Sequence, residues 1–201
     1  MIGNDVVDLG DAESRVAEHH PRFDVRVFTA AERELIAAAT SGERMRWLLW
    51  AAKESAYKAA RRRDARTVFS PRRFAVRGTA EGPVRVDAGG QTFVVEHGGD
   101  AQHVHAIARL VGDREARVTG AVASLPQGAT PPTAGAAVRR LALSTLARRL
   151  EIPEDDLRLD RADRMPRLWV RGRPSAAVLS LAHHGRFVAF ACRWSHREWR
   201  G

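Results

Sequence analysis

An acid and two lysines sit inside an otherwise apolar stretch, Trp50-Ala51-Ala52-Lys53-Glu54-Ser55-Ala56-Tyr57-Lys58. On a helix Trp50, Glu54 and Lys58 follow one another at i, i+4 and i+8 along one edge, with Lys53 beside Glu54. A second acidic element opens the chain, Gly3-Asn4-Asp5-Val6-Val7-Asp8-Leu9, where carboxylates interrupt a β-like run. Carboxylates from a strand end and a helix are the minimum oxygen-ligand set for Mg²⁺, which keeps several waters and completes its shell with substrate phosphate. Asp5 and Glu54 are the candidate ligands, with Asp8 as a third, and Lys53 and Lys58 are the candidate phosphate cations. Each piece alone has a plainer reading: a solvent-facing strand edge for Asp5 and Asp8, an i, i+4 surface ion pair for Glu54 and Lys58. The combination favours a metal and a phosphate.

These residues need elements to position them. Residues 2 to 9 read as a strand, and Asp11 to Glu18 as a short helix ended by Pro21. Thr29 with Glu32 forms a capping box, with Phe28 as its hydrophobic staple, and starts a helix to about Ala39. Thr40-Ser41-Gly42 breaks the chain. Glu43 to about Arg62 is then a longer helix whose Leu48, Ala51, Ala52, Ser55 and Ala59 make a face of small residues able to pack closely. From Phe69 to Leu110 the period becomes two, with strands at 74–76, 84–86, 92–95 and 104–108 separated by turns such as Ala88-Gly89-Gly90. Ser124 to Gly135, rich in Pro and Gly, reads as a linker. Beyond it Ala136 to Leu150 is an amphipathic helix with Val138, Leu141, Leu146 and Leu150 inward and Arg139, Arg140, Arg148 and Arg149 outward. Strand-like runs follow at 157–159, 168–170, 178–181 and 186–191, with His183-His184-Gly185 turning between the last two. The expected division is 1–123, a linker at 124–135, and 136–201.

The 201 residues carry 33 Lys and Arg against 24 Asp and Glu, a formal net charge of +9, which favours an anionic partner. Cys192 is the only cysteine, so an intrachain disulfide and a cysteine-based zinc site are excluded. Asp5, Asp8 and Asp11 stand where a signal peptide needs a basic start, and no run approaches the roughly 20 apolar residues of a membrane span, so a cytoplasmic location without membrane attachment is expected. Arginines at 61–63, 139–140 and 148–149 raise nucleic-acid binding as a rival reading. No helix-turn-helix, zinc-finger or RNA-binding signature accompanies them, and no nucleic-acid partner is expected.

Gly3-Asn4-Asp5 with Trp50-x-x-Lys53-Glu54-Ser55-x-x-Lys58 resembles the 4′-phosphopantetheinyl transferases, whose signature is Gly-Ile-Asp followed by Trp/Phe-x-x-Lys-Glu-Ser/Ala-x-x-Lys. Leu181-Ala182-His183-His184-Gly185 resembles the Ile-Ser-His-Ser-Gly turn of their surfactin-type members, in which that half comes first. Here it comes last, as if the halves were permuted. The order of the other two motifs is that of the shorter holo-(acyl carrier protein) synthases. The resemblance implies an α+β fold of two similar halves, a pseudo-dimer in which each half is an antiparallel sheet with packed helices, forming its site within a monomer. It implies transfer of the phosphopantetheine arm of coenzyme A to a serine of an acidic apo acyl or peptidyl carrier protein, leaving 3′,5′-ADP. By the same resemblance Asp5 and Glu54 bind Mg²⁺, Lys58 and Lys53 neutralise the pyrophosphate, and Glu54 or a metal-bound water takes the serine proton. His183 binds the 3′-phosphate, with Arg139, Arg140 and Arg164 as further candidates. The chain departs from the pattern at Asn4, Val7, Ala182 and Met165, where Ile, an acid, Ser and Lys are usual, and a degenerate relative that only binds coenzyme A or a carrier protein is the second rival.

Overall fold

Small residues decide where the longest helix can lie. The computed structural model describes residues 1–15, 19–78, 81–112, 116–126, 130–162 and 165–195. Strand β1 (Ile2–Asp8) is followed by the short helix α1 (Phe23–Val27), then α2 (Ala30–Ala38) and α3 (Gly42–Arg63). Ala51, Ala52, Ser55, Ala56 and Ala59 of α3 are all fully buried, so the helix backbone can approach β1. Gly3 completes the approach: a Cβ there would lie 2.1 Å from the Ser55 carbonyl oxygen and 2.7 Å from the Ala59 nitrogen. The Ser41 hydroxyl caps the start of α3, and Arg61, Arg62 and Arg63 in its last turn complement the helix dipole.

Strands β2 (Ala75–Arg77), β3 (Val84–Ala88), β4 (Gln91–Gly99) and β5 (His103–Leu110) form an antiparallel meander whose last strand pairs with β1, giving the order β1-β5-β4-β3-β2. The chain then repeats this plan. Strand β6 (Ala116–Ser124), helix α4 (Pro131–Leu150) and strands β7 (Leu157–Ala162), β8 (Met165–Val170), β9 (Arg173–His184) and β10 (Phe187–Ser195) build a second antiparallel sheet in the order β6-β10-β9-β8-β7. The protein is therefore α+β, two similar halves of strand, helix and four-strand meander. One core lies between α3 and the first sheet, and another between α4 and the second. A third, small cluster of Val6, Ala182, Phe187 and Ala189 joins the halves.

The outer edge of β1 docks on β9. The Asn4 N–H donates to Ser180 Oγ at 3.0 Å and the Asp8 N–H to His184 Nδ1 at 3.1 Å, so two amides of an otherwise open edge are satisfied by side chains two turns of pleat apart on one strand.

Several expectations change. The helix expected over Asp11 to Glu18 is a 3-10 turn at Ala12–Ser14, started by the Asp11 carboxylate accepting from the Glu13 N–H; residues 16–18 lie outside the described set. The sheets part before Ala116, ahead of the 124–135 segment, because β6 already pairs with β10. That segment joins β6 to α4, and α4 begins at Pro131 because a proline lacks only an N–H that the first helical turn leaves unbonded anyway. Both histidines of His183-His184 belong to β9, leaving Gly185 and Arg186 to make the turn.

Candidate active site

The close seat of α3 on β1 brings Lys58 to Asp5. Lys58 Nζ donates to Asp5 Oδ1 at 2.7 Å and to the Asn4 carbonyl at 3.1 Å. Glu54, one turn earlier on α3, is pushed up to about 7, first by burial and then by the negative charge of Asp5, with Lys58 opposing. Two carboxyl groups that repel one another beside one lysine form a set of hard oxygen donors that a divalent cation would relieve. Asp5 and Glu54 thus fit Mg²⁺.

Asp8 does not join them. Its carboxylate is 1% exposed and accepts from Arg186 Nε and Nη2, from the Arg186 N–H and from the Gly10 N–H, each at 2.9 Å. Burial raises its pKa, but these bonds prevail and hold it at about 2. The carboxylate clasps the two halves, with three of its four donors supplied by Arg186 from the far end of the chain. Gly185 makes room for it, since a Cβ there would lie 2.6 Å from Asp8 Oδ2.

Lys53, beside Glu54 in sequence, points the other way. It is fully buried, and its ammonium donates to Glu32 Oε1 at 2.7 Å, to the Phe74 carbonyl at 2.8 Å and to the Pro71 carbonyl at 3.0 Å. All three of its N–H donors are used. Glu32 Oε1 also accepts from the Val76 N–H, and Oε2 closes the capping box on the Thr29 N–H. The lysine expected at the pyrophosphate instead fixes α3 to α2 and to the 71–74 segment just ahead of β2.

A cavity of about 710 Å³ lies between the halves. Tyr57, Lys58, Arg61 and Arg62 of α3 form one wall, and Arg139 of α4 with Arg161, Ser180 and His183 of β7 and β9 form the other. His183 and Arg139 thus line the same cavity as Lys58. Arg140, next to Arg139 on α4, is exposed and off the lining, because adjacent helical positions diverge by about 100°. Arg164 lies outside the described residues. Arg61 and Arg62 had read as part of a solvated arginine run, and Arg161 and Ser180 carried no motif; only the docking of the halves puts them on one cavity.

Two further histidines bear on the site. His105 Nε2 lies 3.3 Å from Asn4 Nδ2, and burial first, then His103 and Lys58, lower its pKa to about 4, so its ring is neutral beside Lys58. His184 has Asp11 and Glu13 nearby, with ligand atoms within 4.8 Å of one another. Its Nδ1 accepts from the Asp8 N–H at 3.1 Å, and its Nε2 lies 3.7 Å from Glu13 Oε2.

A sequence model described as the 4′-phosphopantetheinyl transferase superfamily matches residues 1–108, which hold β1, α3 and nearly all of the first sheet. The chain belongs to the 4′-phosphopantetheinyl transferase superfamily. No curated protein matches it. The superfamily transfers phosphopantetheine from coenzyme A to carrier proteins and typically uses a divalent metal, so the chain is supported as a transferase of this kind. Among the described residues, no helix is long and apolar enough to cross a membrane.

Proposed function

We propose that the protein transfers the 4′-phosphopantetheine arm of coenzyme A to a serine of an acidic apo acyl or peptidyl carrier protein, releasing 3′,5′-ADP with Mg²⁺ present. The observation that carries the reading is the cavity shared by both halves, with basic side chains from each, and with Lys58 on its wall linking it to Asp5 and so to the carboxylate pair. Coenzyme A lies there with its pyrophosphate at Lys58 and its 3′-phosphate toward His183 and Arg139. Asp5 and Glu54 would hold Mg²⁺, which supplies charge neutralisation at the pyrophosphate when bound. Lys58, held by Asp5 and the Asn4 carbonyl, presents its cation to the same oxygens as negative charge builds on them. Glu54, half-buried beside Asp5, is the group that takes the proton from the attacking serine hydroxyl. Lys53 acts by fixing the rotation of α3, so that Glu54 and Lys58 face β1 together.

The identical strand order of the two halves supports reading the chain as a surfactin-type enzyme with its halves permuted, its site complete within a monomer. Titration calorimetry with coenzyme A, with and without Mg²⁺, tests the reading. Binding strengthened by Mg²⁺, with weak affinity for DNA at moderate salt, is the expected result; tight, salt-sensitive DNA binding without coenzyme A binding would overturn it.

A further inference from the structure

Arg62 is a partly buried cation with no counter-charge of its own. It leaves the last turn of α3, crosses to the second half, and donates through Nη2 to the Leu179 carbonyl, while Nη1 lies 3.8 Å from Met165 Sδ. Both partners are neutral. Among the described residues no carboxylate forms an ion pair with it, and the acid on the opposite cavity wall, Asp160, is engaged by Arg158 at 3.2 Å. Burial lowers the Arg62 pKa to about 10, with only Cys192 opposing. Withdrawing a cation from water is costly unless an anion replaces the lost solvation, and Arg62 lines the open cavity.

Spacing says which anion. Lys58 and Arg62 are i and i+4 on α3, about 6 Å apart along the axis, and both line the cavity. Lys58 already has Asp5 as its partner and sits at the carboxylate pair. Arg62 stands one turn further along α3, a spacing that suits a second negative centre of the same ligand, one sugar away from the first. Its fixed fork of donors suits a phosphate.

We infer that Arg62 receives the 3′-phosphate of coenzyme A and sets the enzyme's preference for the 3′-phosphorylated nucleotide, so that one helix presents a cation to each phosphate site. This rests on the coenzyme A reading of the cavity. The side chain also ties the halves together, so its test uses a ratio measured within each variant, which a general loosening would not move.

Equilibrium binding of adenosine 3′,5′-bisphosphate and of 5′-AMP to the full chain supplies that ratio. The wild type is expected to prefer the bisphosphate by roughly ten- to a hundred-fold, the scale of a charged hydrogen-bonded pair. Arg62→Met is expected to lose most of that preference while keeping its 5′-AMP affinity, and Arg62→Lys to retain more of it than Arg62→Met. An undiminished preference in Arg62→Met, equal loss of affinity for both nucleotides, or a lysine variant no better than the methionine one would overturn the assignment. So would a wild type without the preference, and the coenzyme A reading would survive each of these results. A wild type that binds neither nucleotide would remove that reading and this inference with it.

Discussion

At the scale of the residue, neighbours in sequence have opposite roles. Asp5, Glu54 and Lys58 could be singled out as candidates before any coordinates, from helical spacing, an acid in a β-like run and the family resemblance taken together. The role of Lys53 was not legible, because it depends on Glu32, Pro71 and Phe74, which come from two other segments. Removing the lysine leaves Glu32 as an unpaired buried charge and leaves two carbonyls without that donor. Lys53→Met is therefore expected to cost about 3–5 kcal/mol of folding stability, measured by denaturant titration. A change under about 1 kcal/mol would show that the buried pair is not what holds α3 in place.

At the scale of the element, the site exists because α3 can press against β1. The small face of α3 was readable from Ala51, Ala52, Ser55 and Ala59, and Gly3 stood in the motif, but the contact between them was not. Gly3→Ala forces a methyl group into the Ser55 carbonyl and the Ala59 nitrogen, both backbone atoms that move only with the helix. The variant is expected to lose about 1–3 kcal/mol or more of stability and to separate Lys58 from Asp5, with transferase activity falling further than stability alone explains. Activity retained in full would mean that the helix seat is looser than the contacts require. Strand β6 escaped the sequence reading because Ala116–Ser124 alternates poorly, with Gly120 in its middle. Its place is set instead by pairing with β10, a partner from the far end of the chain.

At the scale of the whole molecule, two similar halves are joined by polar contacts along β1 and by the clasp of Asp8 with Arg186. The repeated helix-and-sheet plan could be anticipated from the patterning and the resemblance. The clasp could not, since the same acid reads as a metal ligand until Arg186 is seen to fill it. Asp8 ionises at about 2 in the folded protein against 3.8 for the free side chain. A depressed carboxyl pKa gives stability that is fully present above 3.8 and lost as pH falls through about 2. Asp8→Asn is therefore expected to lower stability by about 2 kcal/mol at neutral pH, with the difference from wild type shrinking as the solution is acidified toward the folded pKa. A difference that stays constant across that range would assign the loss to packing rather than to charge.

Both halves matter only if the cavity between them binds coenzyme A and the carboxylate pair works on it, and one measurement tests this most directly. Wild-type and Glu54→Ala proteins are incubated with coenzyme A, Mg²⁺ and apo acyl or peptidyl carrier proteins, and the carriers are weighed by mass spectrometry. The account predicts the phosphopantetheine mass increase with the wild type and none with a Glu54→Ala variant that melts as a folded protein. Transfer retained by that folded variant, or no transfer by the wild type to any carrier, would contradict it.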